Sequence, residues 1–226
     1  MNITYKGYTP ENFGAWLASL PVLTHSTKSR NTWTIPNKNG DLIETNFGRS
    51  NATWDVLIHM SNATWAKSKR AITKWLSGTG KLIMSDTTDS FYEVLDVTIT
   101  EDFKKDETYG RIRAIFTVYP YEFMVSGDTG ITTFPINNQN EESYPLYKIS
   151  GNGNGILTVN NKTMNYTVSS ILYIDTRRKI AYDGSNNDMN SSINGDYDNL
   201  ILKSGSNTIS ATVGTLTVYP KWGFNI

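Results

Sequence analysis

The pentapeptide SNATW occurs twice, at Ser50–Trp54 and Ser61–Trp65, and a different hydrophobic period follows each copy. After the first, Trp54, Val56, Ile58 and Met60 alternate with Thr53, Asp55, Leu57 and His59. A period of two predicts a strand with one buried face. After the second, apolar positions fall at Trp65, Ile72, Trp75 and Leu76, with Lys67, Lys69, Arg70 and Lys74 between them. That is the period of an amphipathic helix with a basic outer side, and Ser61 or Asn62 suits its N-cap. Two β-rich runs come next, Phe91–Thr100 and Arg111–Tyr119, joined by a charged loop, DFKKDETYG. They predict a long hairpin with a solvated tip.

Ser126–Pro145 is rich in Gly, Pro, Asn, Ser and acidic residues, the composition of a linker. Short strands are expected beyond it at Leu146–Ile149, Ile156–Val159, Lys162–Thr167, Ile171–Asp175, Lys179–Tyr182, Leu200–Leu202, Thr208–Thr212 and Thr215–Tyr219. Asn160-Asn161 is a tight-turn pair between two of them. Short strands at this spacing predict a β-sandwich. The expectation is therefore a mainly β chain of two domains, residues 1–135 with one α-helix and residues 136–226. Its Thr, Tyr, Val, Ile and Trp content agrees with that class.

Composition narrows the chemistry. The 21 basic and 21 acidic side chains among 226 residues leave no formal net charge, so nothing draws the chain onto nucleic acid as a whole. Without cysteine there is no disulfide, thiolate nucleophile or Cys-ligated zinc. The polar opening MNITYKGYTPENFG lacks the pattern of a secretory signal. No apolar run reaches the roughly 20 residues that span a bilayer.

The stretch KWLSGTGKLIMSD contains a Gly-Thr-Gly-Lys. A phosphate-binding loop runs from strand into helix and needs Gly at position 75 and Ser or Thr at 82. Those positions hold Trp75 and Leu82, and the order here is helix into strand. Gly78 reads as a helix stop, where a left-handed residue is needed. The two histidines, His25 and His59, have no ligand spacing, and no G-x-S-x-G elbow is present. Carboxylates cluster at Asp86, Asp89 and Glu93 and at Asp196 and Asp198, the pattern of surface acids beside turns. The oxygen-rich loop from Asp183 departs from an EF-hand, with Asp188 where Gly is required and Asn194 where a bidentate Glu is required. Trp222, Tyr197 and Tyr182 are candidates for a sugar-stacking platform. No catalytic, cofactor-binding or metal site is assigned, and no cofactor is expected.

Taken in order, several segments resemble the distal tail protein (Dit) family of long-tailed, non-contractile phages. ENFGAWLASLP is similar to the family's opening, and NKNGDLIETN to its Gly-Asp segment before a long strand. AITKWLSGTGKLIMSDTTDSFYEVLDV resembles its most distinctive part, a helix ending in Gly-x-Gly-Lys-Leu, then Ser-Asp and an aromatic strand. RIRAIFTVYPYEF resembles its strand ending in a Pro-aromatic pair. YPLYKISGNGNGILTVNNKTM, YIDTRRKIAYDG and MNSSINGDYDNLILKSGSNTISATVGTLTVYPKWG are similar to its second domain. The resemblance implies a structural protein of the virion tail tip, made in the host cytoplasm. Its N-terminal domain forms a β-barrel- or sandwich-like homohexameric ring around a DNA channel, and its C-terminal domain is a galectin-like β-sandwich. The implied partners are other copies of itself, the tail tube protein, the tail-associated (Tal) protein and often receptor-binding proteins. DNA passes without being bound specifically, and no membrane is involved.

A closed ring needs two different complementary surfaces on each chain. The extended arm Thr24–Phe47 is the expected source of one, through Trp33, Ile35 and Phe47. A carbohydrate-binding adhesin working through the C-terminal domain is the alternative function.

Overall fold

The computed structural model describes residues 2–36, 39–61, 65–99, 104–105 and 109–226, without the side chains of residues 45–47, 104, 105 and 109. The chain forms two compact units, Met1–Glu122 with Asn225–Ile226, and Phe123–Phe224. It is mainly β, with one α-helix.

The first unit holds β1 (Ile3–Tyr5), β2 (Ala15–Leu17), β3 (Val22–Thr24), β4 (Lys28–Thr34), β5 (Asp41–Arg49), β6 (Ala52–Ser61), α1 (Trp65–Leu76), β7 (Gly80–Met84), β8 (Ser90–Ile99), β9 (Lys104–Lys105) and all but the last two residues of β10 (Tyr109–Met124). One sheet runs β1-β7-β8-β10-β6-β2, with β3 also on β6 and β9 on β10. β6 and β10 pair antiparallel from Tyr109↔Ser61 to Val118↔Ala52. Facing pairs such as Ile112↔Ile58, Ala114↔Val56 and Phe116↔Trp54 therefore fall on one side, and all six residues are buried. The alternation read from the sequence is the inner face of this sheet.

Helix α1 closes that core with Ile72, Trp75 and Leu76, and Trp65 packs against it. Ser61 ends β6, and the other candidate cap, Asn62, lies outside the described residues. Trp75 Nε1 donates to the Tyr5 carbonyl at 2.8 Å, and Tyr5 meets Phe116 edge-on at 5.2 Å. Burial, with help from Asp96, pushes the Tyr5 hydroxyl up to about 12. Gly78 adopts φ +76° and its carbonyl accepts from the Tyr5 hydroxyl. The Gly-Thr-Gly-Lys stretch is thus the end of α1 and the start of β7. Gly110 is needed for another reason: a Cβ there would lie 1.7 Å from the Trp65 ring.

In β8, Tyr92 and Val94 face the core, but so do Val97 and Ile99, while Leu95 is exposed. The inward parity therefore changes by one residue along the strand. The polar loop after β8 lies mostly outside the described residues, except that Lys104–Lys105 pairs with Gly110 and Arg111.

The second unit contains β11 (Ile136–Asn138), β12 (Leu146–Ser150), β13 (Gly153–Val159), β14 (Lys162–Val168), β15 (Ile171–Asp175), β16 (Ile180–Asp183), β17 (Ile193–Asn194), β18 (Gly205–Asn207), β19 (Ile209–Ala211) and β20 (Thr215–Tyr219). The chain's last strand is β21 (Gly223–Asn225). Two four-stranded sheets, β16-β15-β12-β20 and β17-β14-β13-β19, share one core that includes Tyr147, Ile149, Leu157, Met164, Leu172 and Val218. This is a β-sandwich. Buried Tyr147 donates to the Leu200 carbonyl at 2.6 Å, and burial holds its hydroxyl well above the ordinary tyrosine range.

Two expectations about this region differ from the fold. The polar stretch 126–145 packs into the second unit through β11, which pairs with β18, and through Ser143, which bridges Leu202. Its polar side chains make these contacts possible: buried Asn138 donates to the Glu141 carbonyl and accepts from Asn140 N. Leu200–Leu202 is not a strand. A 3-10 turn at Tyr197–Leu200 starts where the Asp196 carboxylate accepts from Asp198 N, and only Leu202 enters a bridge.

Candidate functional site

β4 and β5 form a sheet of their own, paired from Lys28↔Arg49 to Thr34↔Asp41 with a register shift between Lys28 and Arg30. Every residue of β4 is exposed. A lone two-stranded ribbon is marginal in water, so its base and its surroundings decide whether it holds. At the base, Thr27 N donates to Ser50 Oγ and Ser50 N to the Thr27 carbonyl, both at 2.9 Å. Buried Ser26 accepts from Arg49 Nη1 at 3.2 Å and donates from its hydroxyl to the Ile226 carbonyl.

Residues directly opposite each other in an antiparallel pair share a face. Trp33 and Leu42 therefore lie together on one side, with Asn31 and Glu44, and Ile43 lies on the other with Thr32. Trp33 and Leu42 are each 58% exposed and Ile43 is 55% exposed. Burying such a side chain contributes about 1.5–3 kcal/mol. A ribbon with large apolar groups on both sides leaves that stabilisation unrealised until something covers it. Of the three residues expected from the sequence, Trp33 lies on β4 and is solvent-facing, Ile35 follows β4 and is 37% exposed, and the Phe47 side chain lies outside the described residues. Leu42 and Ile43 were not picked out, because only the β4–β5 register shows that they flank Trp33.

Among the described residues the second acid cluster singled out in the sequence serves a turn and an ion pair. Asp196 caps a 3-10 turn, and Asp198 takes a 2.8 Å ion pair from Lys179, which raises the lysine. His25 is exposed, and His59 lies 6.2 Å from the Trp16 ring. Among the described residues no group of three or more His, Asp or Glu side chains is placed to hold a metal. The first turn of the oxygen-rich loop is held by its own aspartate instead. Asp183 accepts from Ser185 N, Asn187 N and Asn187 Nδ2 at 2.8–2.9 Å. Those bonds, led by the Asn187 side chain, hold its carboxyl below the ordinary aspartate value.

Two grooves lie within the second unit. One, of about 470 Å³, is floored by Asn154, Ile156, Asn165 and Thr167. It has no open aromatic wall, since Tyr166 is buried and bonds through its hydroxyl to the Val213 carbonyl. The other, of about 500 Å³, is walled by Tyr182 and the loop after it. Of the platform candidates, only Tyr182 lines either groove. Trp222 and Tyr197 pack against the core, with Trp222 Nε1 donating to Ser126 Oγ and the Tyr197 hydroxyl to Asn190 Oδ1.

No protein-family model matches the chain, and no curated protein matches it in sequence. A match comes from solved structures: the Dit protein of phage SPP1 superposes with a TM-score of 0.65, covering 96% of both chains at 12% identity. The chain has the fold of a Dit protein. The SPP1 protein is described as a paradigm of the hub adsorption apparatus in phages that infect Gram-positive bacteria. At 12% identity the Dit likeness lies in the architecture. Among the described residues no helix is long and apolar enough to cross a membrane.

Proposed function

We propose that this chain is a Dit-family structural protein, a non-catalytic hub at the tip of a phage tail. In this reading six copies close into a ring through an N-terminal domain (residues 1–135). A galectin-like C-terminal domain (136–226) points outward. The ring joins the tail tube protein to the Tal protein and to receptor-binding proteins, and DNA slides through its channel. The observation that carries the reading is the end-to-end match to a hub protein, over 96% of both chains.

The exposed ribbon supports it. Ring closure is head-to-tail and consumes a different patch on each side of every copy. Trp33, Ile35 and Phe47, with Leu42 beside Trp33, supply one of those patches, and Ile43 sits on the opposite face of the ribbon. Zero net charge fits a conduit that must not retain phosphate.

Electron microscopy of the purified protein tests the hub, with light scattering for mass. Six-fold rings with a central hole are expected. A Trp33→Asp, Ile35→Asp variant is expected to run as a folded monomer with the circular dichroism spectrum of the parent. Rings that persist in the variant remove the arm from the interface. A parent protein that stays monomeric, even when mixed with the tail tube protein, removes the hub.

A further inference from the structure

β16 is an edge strand, and bare edges invite pairing with foreign chains. Here the chain doubles back over its own edge. Tyr182 bridges Asp188, Met189 N donates to the Ala181 carbonyl at 2.9 Å, and Ala181 N donates to Asn190 Oδ1 at 2.7 Å. The Asp183 carboxylate and the Tyr197 hydroxyl fix the rest of the turn. This fold-back leaves the cleft of about 500 Å³ lined by Arg178, Ile180, Tyr182, Asn186, Asp188 and Asn190. Its size falls in the range of ligand clefts, about 300–1,000 Å³.

The lining is specific in its chemistry. Tyr182 is stacked on Tyr173, its cross-strand neighbour, with centroids 5.1 Å apart and planes at 18°. A ring already pinned loses little rotamer entropy when a ligand packs on it. The Tyr182 hydroxyl, the Asn186 carboxamide and Asn190 Nδ2 make no hydrogen bond to another described residue. Asp188 uses one carboxylate oxygen, accepting from Asn190 N. Amide donors, a hydroxyl and carboxylate oxygens thus surround one aromatic wall.

Charge selects among ligands. The lining holds one cation and one acid, Arg178 and Asp188, and Arg178 also has Asp175 at 3.8 Å, so the cleft carries no net charge of its own and a neutral ligand suits it. A pyranose offers what the cleft lacks: an apolar C–H face for the ring and a rim of neutral hydroxyls for the amides. We propose that this cleft binds a neutral saccharide, one sugar ring against Tyr182 and its hydroxyls on Asn186, Asn190 and Asp188.

Ligand-observed saturation-transfer NMR on the full chain tests this with maltose, cellobiose, lactose and chitobiose as probes, because it works on a monomer or a ring. Saturable binding in the millimolar range to at least one probe is expected. Tyr182→Ala is expected to weaken it about ten-fold or more, the factor worth about 1.4 kcal/mol of lost stacking. Tyr182→Phe is expected to keep most of it. Asn186 has φ +63°, so Asn186→Gly removes the carboxamide without straining the backbone, and a few-fold loss is expected. No saturable binding to any of the four sugars, or binding that survives Tyr182→Ala and Asn186→Gly, overturns the proposal. It does not rest on the hub reading: rings that bind no sugar leave the hub intact, and a sugar-binding monomer leaves the cleft intact.

Discussion

Two hairpins in this chain use the same pairing in opposite ways. In β13–β14 the inward residues Leu157, Val159, Met164, Tyr166 and Val168 are buried, while Asn154, Asn165 and Thr167 face out. In β4–β5 no described side chain is buried, although Trp33, Leu42 and Ile43 are as apolar as anything in β13. The first hairpin is held by a core that its own chain supplies. The second has the hydrogen bonds of a ribbon, and among the described residues nothing apolar buries Trp33, Leu42 or Ile43. Burial, not strand propensity, separates a segment that finishes its own fold from one that leaves its apolar side chains in solvent.

The sharpest way to break that contrast is to cut the same side chain from both. Leu157→Ala opens a cavity under the sandwich and is expected to cost about 2–5 kcal/mol. Leu42→Ala removes a mostly exposed group and is expected to change the stability of the dilute chain by about 0.5 kcal/mol or less. Urea unfolding of the two variants under one set of conditions reads the difference. If Leu42→Ala cost as much as Leu157→Ala, the arm would already be packed in the isolated protein and the contrast would fail.

How far the sequence reached follows from the same distinction. Where burial is one-sided and the period is clean, as in β6 and α1, the residues announce their faces, and Trp54, Val56, Ile58, Met60, Ile72, Trp75 and Leu76 lie in the core as the pattern implies. Where polar residues are used for internal bonding, composition misleads. The 126–145 stretch has the letters of a linker, but Asn138 and Ser143 are buried. Leu200 and Leu202 are apolar and buried without forming a strand, because a 3-10 turn brings them in. Register is the other limit. Tyr173 and Tyr182 are nine positions apart, and only the β15–β16 pairing shows that they stack. The same holds for Leu42 and Ile43 beside Trp33.

A second, smaller test asks whether the packed hairpin also depends on its turn. Asn160 and Asn161 have φ of 47° and 66°, the left-handed pair of a two-residue hairpin turn. Asn160 is tied by its amide to Asn207 and Thr208, which leaves Asn161 as the cleaner probe. A β-branched residue resists that conformation at about 1–2 kcal/mol. Asn161→Val is therefore expected to lower the melting temperature by several degrees, and Asn161→Gly to leave it nearly unchanged. Equal melting of both variants would mean that the core alone sets the register of β13 and β14.

The weakest effect concerns a third way of ordering a polar segment, by hydrogen bonds made within the loop itself. The loop after β16 has almost no apolar side chain, and its first turn is gathered by the Asp183 carboxylate. Because the Asn187 side chain and then the Asn187 and Ser185 amides favour the charged form, the Asp183 pKa in the fold lies below its ordinary value of 3.8. A group depressed in the folded state stabilises above its unfolded pKa, and that contribution disappears as pH falls through the folded value. Amide hydrogen exchange at Ser185 and Asn187 is therefore expected to be slower in the parent than in Asp183→Asn near neutral pH. The two proteins are expected to converge in acid, below the ordinary carboxylate range. A ratio that stays constant across that range would mean that the backbone bridges to Ala181 and Tyr182 order the loop and that Asp183 only decorates it.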